Sequence, residues 1–263
     1  MIRYDEIGHQ YRDHRIADER IVQRLIALLE LPGASTVADI GAGTGNYANA
    51  LADAGYTVQA IEPSSIMRGQ AAPHARVVWW AGSAEENPLA ANSVQGIISV
   101  LAIHHFSSLE RAASEMARVC IDGNIVILTF DPRCSKPFWL SKYFPDIWQS
   151  AFRGFSPIAS VVAKLEPLTK RTAEIIALDI PNDVRDTFAA AGWRRPHIYL
   201  DPEVRRSMSA FALADPVAVT EGLTRLSADL ESGQWYEENV GTLELDAIDL
   251  GYRFIVLRCS SAC

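Results

Sequence analysis

Apolar and polar positions in the first half of the chain follow two alternating periods. Compact apolar runs at 36–40, 57–61, 76–80, 94–101 and 124–130 are bounded by turn residues and read as strands. Helix-period stretches precede and separate them. Asp18 stands as the N-cap of the first, which places Ile21, Val22, Leu25, Ile26 and Leu29 on one side and is stopped by Pro32-Gly33. Further helices are predicted over 44–54, ending at Gly55, from the cap Ser64 to about 70, and over 108–119. The run 94–101 is apolar almost throughout, as a central parallel strand covered on both faces requires. Regular strand–helix alternation predicts an α/β fold, a Rossmann-like doubly wound, mostly parallel, seven-stranded sheet with helices on both faces. In such a sheet ligands bind beyond the carboxyl ends of the strands.

After Asp131-Pro132 the alternation breaks. From 136 to about 167 the chain is dense in aromatic residues (Phe138, Trp139, Tyr143, Phe144, Trp148, Phe152, Phe155) without a period of two. This segment is expected to be a helical insertion above the ligand edge, with its aromatic side chains either packing it or touching substrate. The stretch 174–180 reads as a strand or an extended link, 182–191 as a helix ended by Gly192, 197–200 as a short strand and 252–258 as the final strand. The polar, helical stretch 203–249, with Trp235 and Tyr236, interrupts the hairpin of the last two strands as a further cover or a self-association interface. The expected organisation is a single domain over 1–263. It comprises an N-terminal cap segment (1–34), a cofactor-binding core (35–131), a lid insertion (132–172) and a C-terminal part of the sheet (181–263) carrying the helical insertion.

With 263 residues, 49% of them hydrophobic, the chain is long enough to bury a large core. A net charge of −8 argues against a phosphate-backbone partner, which needs clustered Lys and Arg. The first residues carry no apolar signal core, and the longest apolar run, near 97–103, is too short to span a bilayer. A cytoplasmic protein with no membrane partner, monomeric or homodimeric, is expected. Cys120, Cys134, Cys259 and Cys263 show no C-x-x-C pair and no histidine at metal-finger spacing, so they read as free thiols and no metal site is expected.

The candidate chemistry centres on Val37-Ala38-Asp39-Ile40-Gly41-Ala42-Gly43-Thr44-Gly45-Asn46-Tyr47, an apolar strand running into alternating glycines and then a helix. Glycines there permit positive φ and a close ligand approach, and the helix presents unpaired N–H groups. Glu62, about twenty residues past the first glycine, closes the second strand, where a carboxylate can accept from both hydroxyls of a ribose. A dinucleotide fingerprint wants a small residue where Asn46 stands. Asp39 beside the turn is a poor neighbour for a diphosphate and a natural one for an ammonium group, directly or through water.

These residues resemble the class I S-adenosylmethionine-dependent methyltransferases, and most closely the small-molecule branch that includes the ubiquinone/menaquinone methyltransferases. The matching motifs are 37–45, Glu62, Gly82-Ser83-Ala84-Glu85 and 100–106. The resemblance implies S-adenosylmethionine as cofactor. Gly41 and Gly43 would pass under its methionine moiety, with Ala42 and Gly45 completing the turn. Glu62 would hold the ribose with Pro63 beside it, and Ile66 and Met67 would flank the adenine. Ser83 stands where many members place an Asp, which leaves more of adenine recognition to the backbone of Ala84, next to Glu85. Leu101 and Ala102 would offer backbone groups to the methionine end, while Tyr11 and Arg15 would close over the site, Arg15 pairing the cofactor carboxylate.

The implied activity is in-line methyl transfer to a small organic acceptor. His104 and His105 are the candidate bases, His105 slightly preferred, because imidazole titrates near neutral pH. Two alternatives remain at this stage: a module that binds the cofactor without transferring a methyl group, and a nicotinamide-dependent oxidoreductase.

Overall fold

The computed structural model describes residues 15–120, 122–136 and 138–259. Seven strands form one sheet in the order β3-β2-β1-β4-β5-β7-β6. They are β1 (Thr36–Ile40), β2 (Thr57–Ile61), β3 (Val77–Trp80), β4 (Gly96–Val100), β5 (Ile125–Phe130), β6 (Arg171–Pro181) and β7 (Ala247–Cys259). β1 to β5 pair in parallel, and β7 runs antiparallel to both β5 and β6. The seven-stranded, mostly parallel sheet expected from the alternation is present. Ends of the parallel strands differ from the expected ones by a residue or two, whereas β6 begins three residues before the expected 174 and β7 five residues before the expected 252.

Alternation along the central strands assigns the two faces. Val126, Leu128 and Phe130 pack on one side, with α1 (Glu19–Leu29) and α2 (Asn46–Asp53). Ile125 and Ile127 pack on the other, against α4 (Leu109–Val119) and α7 (Ile158–Thr169). Both β4 and β5 are buried almost end to end, which is why they read as continuous apolar runs. The expected caps form: Asp18 accepts from the Arg20 N–H, Ser64 caps α3 (Ser65–Gly69) by accepting from Met67, and Ser108 accepts from Arg111 to start α4.

The second half corrects the sequence expectations. The aromatic insertion contains α5 (Leu140–Tyr143) and α6 (Pro145–Gly154), but α7 belongs to the sheet's own helix layer, joined to α4 by the Lys164–Glu110 ion pair at 2.9 Å. The lid therefore ends near residue 157, not 172. The helix expected over 182–191 is a series of turns and the strand expected at 197–200 is a 3-10 turn, Pro196–Leu200. Both stretches join the second insertion, which fills the whole span between β6 and β7. That insertion continues with α8 (Pro202–Ser207), α9 (Ser209–Ala212), α10 (Pro216–Ser232), α11 (Gln234–Glu238) and α12 (Val240–Leu243).

The two insertions share one aromatic core above the α1 and α2 face. Trp139 is its centre, edge-on to Tyr143, Tyr199 and Trp235 with ring centroids 5.4–5.9 Å apart, and its indole N–H donates to the Trp193 carbonyl at 2.6 Å. Replacing it removes packing from both insertions at once. Trp139→Ala is expected to cost about 3–5 kcal/mol in urea unfolding; an unchanged midpoint would mean that the insertions do not depend on a common core.

Candidate active site

At the carboxyl edge of the sheet, Gly41, Gly43 and Gly45 all adopt positive φ, at 78°, 59° and 80°. A Cβ on Gly41 would lie 2.5 Å from the Ala102 Cβ, and one on Gly45 would lie 2.5 Å from the Trp79 ring, so at both positions glycine permits a close approach to a neighbouring strand end. Gly43 has more room: a Cβ there would meet Met67 Cε at an ordinary 3.5 Å. Its N–H donates to Glu62 Oε2 at 3.0 Å, and the Ser64 N–H donates to Oε1 at 2.8 Å. Glu62 thus fixes the glycine turn to the start of α3. Gly41 and Ala42 donate their N–H groups to the Ile61 carbonyl at 2.9 and 3.1 Å.

Asp39 ends this cradle. It is 2% exposed, and its carboxylate has no hydrogen-bond partner among the described residues. Burial, with a further contribution from the Glu62 charge, pushes its carboxyl up to about 7. A buried acid lacking a counter-charge, beside an open glycine backbone and a second carboxylate, suits a ligand that brings a cation and hydroxyl groups. The cofactor implied by the sequence fits on both counts.

The other expected residues fall into two groups. Met67 and Ala84 are buried, with Ile66 and Pro63 partly so, around α3 and the loop after β3. The Ser83 hydroxyl accepts from the Glu86 N–H at 3.1 Å, which shapes its own loop. Glu85 is tied to the start of α4. Its carboxylate accepts from the Ser107 N–H and hydroxyl and from the Ser108 N–H at 2.5–3.1 Å, tying the loop to the start of α4, so it positions the site from outside. Tyr11 lies outside the described residues.

Arg15 is committed elsewhere than expected. Its Nε and Nη2 both donate to Asp186, which is 1% exposed and also accepts from the Tyr47 hydroxyl at 3.0 Å. The Arg15 carbonyl accepts from the Asn46 side-chain amide, so the residue that distinguished this turn from a dinucleotide fingerprint holds the N-terminal segment in place. Asp186 was not foreseen, because 182–191 has the pattern of an ordinary surface helix and its partner is 171 residues away.

A cavity of about 470 Å3 lies between the end of β4 and the two insertions. Leu101, His104 and His105 form its base; Phe130 and Tyr252 come from the sheet, Trp148 and Phe155 from the first insertion, and Phe188 and Met208 from the second. The expected aromatic lid is therefore divided: Phe138, Trp139, Tyr143 and Phe144 are core, whereas Trp148 and Phe155 face the cavity. The second insertion is a cover of this cavity. Leu101, at φ 51°, is a non-glycine residue in the left-handed region at the junction of the two halves, where such backbone strain concentrates.

His104 and His105 lie on a 3-10 turn, Ile103–His105, with ring centroids 3.8 Å apart. His104 packs on Phe155 at 4.2 Å. Burial, followed by the neighbouring His105 and Arg15 charges, holds the His104 imidazole well below 6.5; burial brings His105 down to about 4. His105 keeps more exposed surface than His104, at the cavity they both line, yet the surrounding walls desolvate each ring. Both are neutral at physiological pH, so they are competent to receive a proton and weak as bases.

A family model described as a methyltransferase domain matches residues 38–128. The crystal structure of a protein described as a methyltransferase from an antibiotic biosynthesis pathway of Anabaena variabilis is 49% identical, with a TM-score of 0.91, covering 93% of this chain and 98% of that one. A ubiquinone/menaquinone biosynthesis C-methyltransferase of Rubrivivax gelatinosus is 32% identical over 133 residues, 49% of this chain and 51% of that protein. The chain spans about half the length of the curated relatives it matches. Phosphoethanolamine N-methyltransferase 2 of Haemonchus contortus, solved with S-adenosylmethionine, shares the fold at 16% identity and a TM-score of 0.61, covering 97% of this chain and 56% of that one. The chain belongs to the class I S-adenosylmethionine-dependent methyltransferases, and S-adenosylmethionine is the cofactor of that family. Among the described residues no helix is long and apolar enough to cross a membrane.

The unpaired Asp39 gives a signed prediction. Its folded pKa is raised above the unfolded value of 3.8, so the empty protein loses stability as pH rises from about 4 through 7. Asp39→Asn is expected to stabilise the empty protein by about 2–4 kcal/mol at pH 8 and by little at pH 4, while weakening S-adenosylmethionine binding. Thermal melts at the two pH values, with calorimetric binding, check this; equal stability gains at both would refute the buried-charge account.

Proposed function

We propose that this chain transfers the methyl group of S-adenosylmethionine to a small organic acceptor held between its two insertions. The observation that carries this reading is the placement of a half-open, largely apolar cavity at the end of β4, lined by Leu101, the residue before Ala102, against which Gly41 of the glycine turn lies. A module that only binds the cofactor needs no such second chamber. In this reading Glu62 accepts from the ribose hydroxyls, Asp39 faces the ammonium, and Pro63, Ile66 and Met67 flank the adenine beside Ser83 and the Ala84 backbone. The backbone groups of Leu101 and Ala102 face the methionine end. Arg15, held by Asp186, closes the same edge from the N-terminal side.

When bound, the cofactor supplies a methyl group already activated by its sulfonium. The chain's own task is to hold the acceptor atom in line at near-attack distance and to exclude water. Phe155, Trp148 and the second insertion enclose that space, and His104 or His105 receives a proton released by the acceptor.

The test is a screen of small acceptors with label in the cofactor methyl group, alongside calorimetric titration of the cofactor. Transfer of label supports the reading; tight cofactor binding with no acceptor methylated across a broad screen favours the binding module. Glu62→Gln removes charge from two backbone contacts and from the ribose side. It is expected to weaken S-adenosylmethionine binding about 10- to 100-fold, the equivalent of one charge-assisted hydrogen bond. Unchanged affinity would remove Glu62 from the site.

A further inference from the structure

We infer that the acceptor is an uncharged, hydroxylated aromatic compound and that the methyl group goes to its oxygen. This rests on the methyl-transfer reading above and narrows it to a substrate class.

The charges around the cavity argue first. Among the described residues, the cationic side chains lining it are Arg15 and Arg153. Arg15 is neutralised by a two-point pair with the buried Asp186, and Arg153 is exposed at the mouth. The carboxylates lining it, Asp146 and Asp215, are also exposed at the mouth, Asp215 capping α10 through the Val217 N–H. Among the described residues the interior therefore offers an acid no uncompensated cation and an ammonium no uncompensated carboxylate, and burying an unpaired charge is costly. An ammonium would also sit beside the sulfonium, where like charges repel. An uncharged acceptor meets neither penalty.

The shape argues second. Phe130 is the floor of an aromatic box, 4.9 Å from Tyr252, 5.1 Å from Phe155 and 5.9 Å from Trp148 by ring centroid. Edge-to-face and offset packing of this kind selects flat, polarisable rings over extended chains. The volume of about 470 Å3 lies within the range of sites for drug-sized ligands, ~300–1,000 Å3.

The polar groups argue third. Polarity at the base comes from the half-buried His104 and the more exposed His105, which stand on the turn leading directly from Leu101, while Tyr252 and Ser209 bring hydroxyls to the walls. A ring hydroxyl directed to that end brings both a nucleophilic lone pair and a proton that a neutral imidazole can accept. In the transfer the acceptor oxygen forms its bond to the methyl carbon as the carbon–sulfur bond breaks, and the bonding pair stays on sulfur. The hydroxyl proton passes to an imidazole of the His104–His105 pair and then to solvent. The products are an aryl methyl ether, S-adenosylhomocysteine and one proton. A weak base is sufficient, because a methylated aryl oxonium is far more acidic than an imidazolium. The positive charge leaves sulfur as it arrives on the ring nitrogen, so the two cations do not coexist.

The experiment incubates the full chain with S-adenosylmethionine labelled with carbon-13 in its methyl group. Three acceptor panels are matched in ring system: phenols of one to three fused rings, the corresponding aryl carboxylic acids, and the corresponding aryl-methylamines. Products are identified by carbon-13 NMR, and cofactor binding is measured in parallel by calorimetry. The expected result is a methoxy product from the phenols, with kcat/KM at least tenfold above either other panel. Trp148→Ala and Phe155→Ala should each raise KM for the best phenol about tenfold, with cofactor affinity held within twofold. Methyl esters, N-methyl products or ring C-methyl products as the main outcome would overturn the inference and leave the methyltransferase reading standing. So would a chain that binds the cofactor yet methylates none of the phenols. A chain that does not bind the cofactor refutes the underlying reading and this inference with it.

Discussion

Everything at this site depends on how closely the turn after β1 approaches its neighbours. Gly41 lies against Ala102 at the end of β4, and Gly45 against Trp79 in β3, at separations that leave no space for a Cβ. Their left-handed backbones add a second constraint, since an L side chain at positive φ is strained even where space exists. The result is a bare stretch of main chain between two strand ends, with Glu62 pinning its middle through Gly43. On the far side Leu101 bears strain of its own to carry the chain from β4 into the histidine turn. Leu101 also lines the cavity proposed for the acceptor.

Buried acids elsewhere in the molecule are compensated, which makes the exception informative. Asp18 accepts from Arg20 and the Arg185 N–H, Asp131 from the Arg133 and Ile158 N–H groups, and Asp186 from Arg15 and Tyr47. Glu85 holds the start of α4. Each of these fastens one segment to another, and Asp18 and Asp186 together fasten the second insertion to the N-terminal segment. Asp39 fastens nothing. A carboxylate kept in the core without a protein partner reduces the stability of the empty fold, and a cationic ligand supplies the missing charge.

The sheet was legible from the sequence because its order depends on local pattern. Strand runs such as 57–61 and caps such as Ser64 and Ser108 need only their neighbours, and the structure places them as read. The insertions were less legible because their order is non-local. Trp193 and Tyr199 are fully buried, yet nothing beside them in sequence marks them as core; Trp139 and Phe211 pack on the Tyr199 ring, and the Trp193 indole donates to the Pro181 carbonyl, contacts made only by folding. The turns at 182–191 carry a helical pattern that the Asp186 and Arg185 contacts override. α7 was misassigned for the opposite reason. Aromatic density upstream suggested a lid reaching to 172, while Ile158, Val161 and Leu165 carry the ordinary spacing of a helix lying on a sheet.

That contrast also separates the parts of the site by origin. The cofactor half is built mainly from backbone and short segments between β1 and the end of β4, and the family model ends at residue 128, before the first insertion begins. The cavity proposed for the acceptor takes its base, Leu101, His104 and His105, from within that span and its walls, Phe130, Trp148, Phe155, Phe188, Met208 and Tyr252, from beyond it. A cradle of main-chain groups constrains few side chains and recurs wherever the same cofactor is held. The chamber above it is made of side chains alone, so a change in Phe155 or Met208 alters what fits without disturbing Gly41 or Glu62. The coupling that remains runs through Leu101 and through Arg15, which lines the chamber while its carbonyl is held by Asn46 at the first residue of α2.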